Sequence, residues 1–126
     1  MSDCIQLRRF LTVNKSIQYL NLSNCNIDRH TGHSLAEGLR DNNCIKELDI
    51  SNNYCSDHVM YIIIMALRNN SQLRYLNISR SGCESKAVEG FSELIKISQN
   101  LVYVDFTYNY FTDNDLMMMS ISLVQN

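Results

Sequence analysis

The chain has 126 residues and a formal net charge of −2, with 45% apolar and 19% charged residues. This length suits one folded domain, and the composition is that of an ordinary soluble protein. The small acidic charge gives no electrostatic basis for binding nucleic acid or an anionic membrane. The longest apolar run, residues 59–67, is too short to cross a bilayer. We therefore expect neither nucleic acid nor a membrane as partner.

The five cysteines argue against a disulfide framework, because their number is odd and none of them forms a CxxC pair. Cys25, Cys55 and Cys83 fall at repeat positions, defined below, that we predict to point inward. A thiol acts there as a small apolar filler. The sequence thus predicts buried, reduced cysteines and a cytoplasmic location.

The chain begins with a segment, residues 1–16, that has the apolar spacing of a helix. Leu7 and Leu11 form its apolar stripe, and Asn14 stands where the helix should close. The segment matches the helical half of the unit that recurs after it, without the strand of that unit. We predict a helical half-repeat here.

Four short segments then follow at a constant interval of 28 residues, beginning at residues 17, 45, 73 and 101. We number each unit from these residues as position 1. Positions 1, 4 and 6 are apolar in every copy, which predicts a half-buried strand. These residues are Ile17, Leu20, Leu22, Ile45, Leu48, Ile50, Leu73, Leu76, Ile78, Leu101, Val104 and Phe106. A fixed period of this size indicates a repeat solenoid, and we predict a single domain over residues 1–126.

After each strand the apolar spacing becomes that of a helix with one inner stripe. The predicted stripe residues are Leu35, Ala36, Leu39, Ile63, Ile64, Leu67, Phe91, Ser92, Ile95, Met119, Ser120 and Leu123. Residues 112–115 have the form of a capping box, and Ser56 and Ser85 are predicted N-caps. The helices should end near Asn42, Asn70, Ser98 and Asn126, where Asn can adopt the left-handed conformation.

The repeated phrase L-x-x-L-x-L-x-x-(N/C)-x-L followed by a helix resembles the leucine-rich repeat family. The 28-residue length is similar to that of its ribonuclease-inhibitor-like subtype. The resemblance implies an α/β fold, a right-handed solenoid in a horseshoe arc with a parallel sheet on the concave face and helices on the convex face. It further implies a non-enzymatic binding scaffold, as in inhibitors, immune sensors, actin regulators and bacterial effectors. The third unit departs from the pattern, because Ser81 replaces the amide at position 9.

If positions 1, 4 and 6 point inward, positions 3, 5 and 7 must face the concave side, because strand side chains alternate. Position 8 should join them at the end of the strand. Tyrosine and arginine anchor many protein interfaces, so we predict a polypeptide-binding face that favours basic or amide groups. The candidate binding residues are Tyr19, Glu47, Asp49, Tyr75, Asn77, Arg80, Tyr103, Asp105 and Tyr108.

A structural role remains an alternative to this binding function. Met117, Met118 and Ile121 crowd the last helix, and terminal repeats normally carry a polar outer face. The chain would then be a segment of a larger leucine-rich-repeat array, of the effector or immune-sensor type, that assembles through its uncapped ends. Self-association through the terminal repeats is the corresponding expectation.

The sequence carries no motif that predicts catalysis or a cofactor. Asp49 and Asp105 share a column but lie two strands apart, which is too loose for a catalytic pair. His30, His33 and His58 fall at helix starts without a completing ligand, so we predict solvated histidines and no metal. We expect no enzyme activity and no cofactor.

Overall fold

A computed structural model describes residues 2–125, with side chains described for residues 4–122. Helices and strands alternate along the chain. The helices are α1 (Ser2–Val13), α2 (Arg29–Arg40), α3 (Asp57–Ala66), α4 (Ser85–Ile97) and α5 (Asp113–Gln125). The strands are β1 (Tyr19–Asn21), β2 (Glu47–Asp49), β3 (Tyr75–Asn77) and β4 (Tyr103–Asp105), and Leu67–Asn69 form a 3-10 turn after α3. In this described part, no helix is long and apolar enough to cross a membrane.

The four strands form one parallel sheet in the order β1-β2-β3-β4. The pairing joins each strand residue to the residue 28 positions later, so the repeat interval is also the sheet register. Parallel neighbours need a crossover connection, and one helix fills each crossover, so that successive helices pack side by side. The predicted α/β solenoid is confirmed.

The core lies between the sheet and the helices. Leu48 and Leu76, at position 4 of the two interior repeats, are completely buried, whereas Leu20 and Val104 in the two outer repeats are only partly buried. An interior repeat has a neighbour on both sides, and an outer repeat lacks one of them. The predicted helix stripe is buried as well, except that Ser120 is exposed. The side chain of Leu123 lies outside the described residues.

Ser120 is exposed because no other helix within residues 2–125 covers that side of α5. Its hydroxyl donates instead to the Leu116 carbonyl of the same helix at 2.9 Å. Ser120 is therefore the one described member of the predicted stripe that is exposed.

The predicted burial of cysteines holds for two of the three. Cys55 and Cys83 are buried. Burial raises the pKa of the Cys55 thiol to about 11, and it also raises the pKa of the Cys83 thiol. Cys25 is exposed, so this prediction is wrong. Position 9 packs against the loop of the preceding repeat, and the half-repeat at residues 1–16 supplies no strand and no such loop.

The predicted starts of two helices are confirmed. Thr112 and Asp115 form the capping box, since the Asp115 N–H donates to Thr112 Oγ1 at 3.1 Å and the Thr112 N–H donates to Asp115 Oδ2 at 2.9 Å. Ser56 caps α3 by accepting from the Val59 N–H. The prediction for Ser85 is wrong, because Ser85 is already the first residue of α4.

A carboxylate from the preceding repeat takes the place of a local cap on α4. Asp57 accepts hydrogen bonds from the N–H groups of Glu84 (2.7 Å), Lys86 (2.8 Å) and Ala87 (2.9 Å). Free N–H groups at a helix start favour an anion. The first turn of α3 thus fixes the start of α4 and ties the two repeats together.

The helices end close to the predicted residues, but Asn42 and Asn70 do not adopt the left-handed conformation. Asn42 is instead buried, with its amide donating to the carbonyls of Leu11 and Asn14 in the preceding unit. Asn42 does not close its own helix in the left-handed conformation, because its side-chain amide bonds backbone groups of the neighbouring unit. The predicted end at Asn126 lies outside the described residues.

Candidate protein-binding face

We call the sheet face opposite the helices the concave face. Its side chains come from positions 3 and 5 of the four strands, with position 8 at the carboxyl ends of the strands. The observed register gives two columns of neighbouring side chains. Position 3 contributes Tyr19, Glu47, Tyr75 and Tyr103, and position 5 contributes Asn21, Asp49, Asn77 and Asp105.

Tyr75 and Tyr103 are neighbours on β3 and β4 and stack face to face. Their ring centroids lie 4.9 Å apart, and the planes differ by 1°. Tyr103 is 51% exposed, and Tyr75 is half-buried. Partial burial raises the pKa of the Tyr75 hydroxyl, and Tyr103 and the nearby carboxylates raise it further. The pair presents a continuous aromatic surface that carries two hydroxyl groups.

Tyr19 stands at the other end of this column and is 65% exposed. Glu47 separates it from Tyr75. The three side chains border a cleft of about 270 Å³. Lys46 and Arg74 also line this cleft, so one side of the cleft is basic. Position 2 was not among the predicted binding positions, although Lys46 and Arg74 stand next to the tyrosine column.

The carboxylates of the second column are held in place by their own strands. Asp49 Oδ1 accepts from the Ser51 N–H at 2.9 Å and from the Ser51 hydroxyl at 2.6 Å. Asp105 bonds Thr107 in the same way, at 3.0 and 2.7 Å. Asn77 donates its amide to Asp49 Oδ2 at 3.4 Å. The column is therefore pre-oriented, which reduces the entropy lost on binding.

Position 7 offers less surface to a partner than predicted, because two of its four side chains are buried, whereas Thr107 is exposed. Ser51 and Ser79 are buried. The Ser51 hydroxyl turns toward the Asp49 carboxylate of its own strand. These small side chains support the column at position 5 and offer little surface of their own.

Position 8 adopts the left-handed conformation in all four repeats, at Asn24, Asn52, Arg80 and Tyr108. The conformation is unfavourable for arginine and tyrosine. It turns both side chains to the same edge, where the Arg80 guanidinium lies 4.3 Å from the centre of the Tyr108 ring. This is cation–π distance. Sequence reasoning placed these residues correctly at the edge of the sheet but did not predict the backbone conformation.

Two further exposed tyrosines lie beside this edge and were missed. Tyr54 and Tyr110 occupy position 10 and are 73% and 66% exposed. Gly82 holds the same position between them, with φ of +71°, and a Cβ there would touch Tyr54. In the sequence, both tyrosines stand between positions 9 and 11, which we predicted to point inward. This spacing was the signal that could have identified them.

The remaining candidates are the three histidines and the two aspartates at position 5. Within residues 4–122, no cluster of histidine, cysteine and carboxylate side chains has the geometry of a metal site. His30, His33 and His58 are exposed, and the His58 ring packs on Tyr61 with centroids 6.3 Å apart. Asp49 and Asp105 are engaged with hydroxyl groups on separate strands, with Asn77 between them.

Comparison with known proteins agrees with this geometry. A family profile described as Leucine Rich Repeat matches residues 16–41, which include β1 and α2. The fold is a leucine-rich-repeat solenoid. A search of curated proteins finds no match to the sequence.

Solved structures match over nearly the whole solenoid. Leiomodin-1 actin-binding site 2 superimposes with a TM-score of 0.85 at 18% identity, covering 96% of this chain and 72% of that one. The tropomodulin C-terminal domain from Caenorhabditis elegans gives a TM-score of 0.76 at 12% identity, covering 97% of this chain and 75% of that one. At these identities the likeness concerns the fold.

Proposed function

We propose that this protein is a non-catalytic interaction module that binds a polypeptide through its concave face. The observation that carries the proposal is the tyrosine column, in which Tyr19, Tyr75 and Tyr103 project in register from one rigid sheet. Tyrosine combines a large apolar surface with a polar end, which suits it to protein interfaces. The proposed contact residues are Tyr19, Glu47, Asp49, Tyr75, Asn77, Arg80, Tyr103, Asp105 and Tyr108.

The charges of the face define the chemistry of the partner. Glu47 and Asp49 on β2 and Asp105 on β4 give the surface three carboxylates, so we expect a segment with basic or amide groups to bind there. Arg80 lies at the carboxyl ends of the strands, stacked on Tyr108. Four strands about 4.8 Å apart give a face roughly 15 Å wide. A contact of this width is smaller than a standard interface, so we expect weak binding by the isolated face.

The decisive experiment compares two pairs of tyrosine substitutions. Tyr75→Ala with Tyr103→Ala removes the stacked pair, whereas Tyr54→Ala with Tyr110→Ala removes two exposed tyrosines outside the strands. Each chain is used to capture partners from a lysate of its own source. We expect the first pair to reduce capture at least about tenfold, because central aromatic residues dominate interface energy, and the second pair to retain it.

The thermal unfolding midpoint of both variants should stay close to that of the parent chain. Capture that survives the Tyr75/Tyr103 pair would refute the concave face as the binding site. Equal loss of capture in both pairs would refute it as well.

Actin is a specific partner to test, because the matching leiomodin-1 structure is described as an actin-binding site. Co-sedimentation of the parent chain and both variants with purified actin filaments tests this partner directly. Binding that depends on Tyr75 and Tyr103 would identify actin as a ligand of the concave face. Absence of co-sedimentation would leave the lysate capture as the test of the broader proposal.

We propose further that the solenoid is of the ribonuclease-inhibitor-like subtype and works in the cytoplasm. The 28-residue interval and the α-helix in each repeat support the subtype. All five cysteines are free, which supports a reducing compartment. Fractionation of the source cells tests the location.

The second candidate function is a segment of a larger array of the effector or immune-sensor type, assembled through its ends. It is favoured by the partial exposure of the core residues Leu20 and Val104 in the two outer repeats. It predicts that the regions of Leu7 and Met118 become buried on assembly. Light scattering on the purified chain tests self-association, and a monomer at high concentration would contradict it.

A further inference from the structure

An apolar groove of about 560 Å³ lies at the C-terminal end of the solenoid. It runs between β4, the end of α4 and the inner side of α5. Its apolar lining comes from Phe91, Ile95, Leu101, Val104, Phe106, Leu116 and Met119. Of the proposed contact residues of the concave face, Tyr103 alone borders the groove. The lining of the groove is therefore distinct from the concave face except at Tyr103.

The groove resembles the interface between two successive repeats of this solenoid. Between repeats 3 and 4, the side chains of Leu73, Leu76 and Ile78 are at most 2% exposed, because repeat 4 covers them. The equivalent residues of repeat 4 remain only partly buried. The groove is the same repeat-to-repeat surface without its covering strand.

The backbone of β4 offers hydrogen-bonding groups in the same register. Between neighbouring strands, the position 2 carbonyl accepts N–H groups from positions 2 and 3 of the next repeat. The N–H groups of positions 6 and 8 donate to carbonyls of the next repeat. In repeat 4 these groups are the Val102 carbonyl and the Phe106 and Tyr108 N–H groups, which make no such bond within the described part of the chain. An incoming parallel strand would satisfy all three.

The turn after β4 also requires an amide side chain from the segment that fills the groove. In repeat 1, the N–H groups of Cys25 and Ile27 donate to the side-chain oxygen of Asn53, which belongs to the next repeat. The corresponding groups of repeat 4 are the N–H groups of Asn109 and Phe111, and no amide from a following repeat reaches them among the described residues. A ligand with Asn at position 9 would supply that oxygen.

We propose that this groove binds, as a fifth parallel strand, an extended polypeptide segment with the pattern L-x-x-L-x-L-x-x-N. Strand addition to an open sheet edge uses backbone bonds for affinity and side-chain pockets for specificity. Here the apolar residues at positions 4 and 6 fill the groove, and the Asn closes the turn. The ligand is thus a strand and turn of the leucine-rich-repeat type.

A second copy of this chain does not fit the groove through its own β1. The helix α1 precedes β1 and packs on α2, where Arg8 pairs with Glu37 at 3.0 Å. Placing β1 of a second copy beside β4 would put its α1 in the place of α5, because successive helices pack one repeat apart. The strand that fills the groove must therefore bring no helix of its own into the place of α5.

A synthetic peptide with the sequence of residues 45–57 is a suitable probe, because it carries Leu48, Ile50 and Asn53 at the required positions. We would add it to the full chain labelled with ¹⁵N, under reducing conditions. We expect shifts and slower hydrogen exchange at the Phe106 and Tyr108 amides. A control peptide with Leu48→Ser and Ile50→Ser should bind at least about tenfold more weakly, because it lacks two buried apolar side chains.

Two matched variants of the chain test the place of binding. Leu116 lines the groove and Met117 does not, although both are exposed on α5. Leu116→Lys should abolish the effect of the peptide, and Met117→Lys should leave it unchanged. Equal binding of both peptides, or no change at the Phe106 and Tyr108 amides, would overturn the proposal. A dimer without peptide that Leu116→Lys dissociates would also overturn it, since a second copy would then be the occupant.

Discussion

Buried asparagines connect successive repeats at the scale of single residues. Asn53 is 1% exposed. Its amide oxygen accepts from the N–H groups of Cys25 and Ile27, and its amide nitrogen donates to the carbonyls of Leu22 and Ile50. With a further bond to the Ser51 carbonyl, this one side chain satisfies five backbone groups in two repeats. Asn109 makes the equivalent bonds between repeats 3 and 4.

Replacing Asn53 should therefore be costly. Asn53→Ala leaves several buried backbone groups without partners, and each such group costs about 1–3 kcal/mol. We expect a loss of about 3 kcal/mol in the free energy of unfolding, measured by urea denaturation. Asn43→Ala, at an exposed site, is the control and should change stability by less than about 0.5 kcal/mol. A small effect at Asn53 would show that water replaces the amide.

Small residues determine how the helices pack at the scale of elements. Gly32 of α2 lies against Val59 of α3, and Gly38 of α2 lies against Leu11 of α1. Gly90 of α4 lies against Tyr61 of α3 in the same way. Each glycine lets a neighbouring side chain approach the helix backbone. Their positions within the helices are thus explained by packing, because glycine by itself weakens a helix.

Gly32→Ala tests this role against helix propensity. Alanine should stabilise an isolated helix by about 1 kcal/mol, but its Cβ would overlap the Cγ1 atom of Val59. Overpacking in a core costs about 1–3 kcal/mol, so we expect a net loss of stability. His33→Ala, on the exposed side of the same helix, is the control. A gain in the thermal midpoint of Gly32→Ala would show that α2 and α3 move apart at little cost.

Helix starts show what local sequence can predict at this scale. The cap at Thr112 and Asp115 was predictable, because both partners lie within one turn. The start of α4 was not, because Asp57 reaches it from 27 to 30 residues away. A contact of that separation exists only once the two repeats have stacked.

At the scale of the whole molecule, stability should be uneven along the solenoid. Each repeat contacts only its neighbours, so stability is a sum of repeat and interface contributions. Repeats 2 and 3 have a neighbour on both sides, and their core residues Leu48 and Leu76 are completely buried. The outer repeats, with Leu20 and Val104, are only partly covered.

Two leucine substitutions measure this gradient. Leu76→Ala should cost about 3–4 kcal/mol, and Leu20→Ala less than about 2 kcal/mol, because the loss grows with the cavity that remains. In the parent chain, hydrogen exchange should be slowest in β2 and β3 and faster in β1 and β4. Equal costs at both sites, or uniform exchange, would indicate a single cooperative unit without a weaker end.

The sequence by itself determined the repeat length, the strand register and the side chains that share the concave face. A constant 28-residue interval and the alternation of strand side chains are sufficient for that. The tertiary structure alone decided the exposure of Cys25, the burial of Ser51 and the left-handed backbone at Arg80. Each depends on whether a neighbouring repeat supplies a backbone, an amide or a cover at that point. The amino-acid pattern describes one repeat at a time, whereas these features arise between repeats.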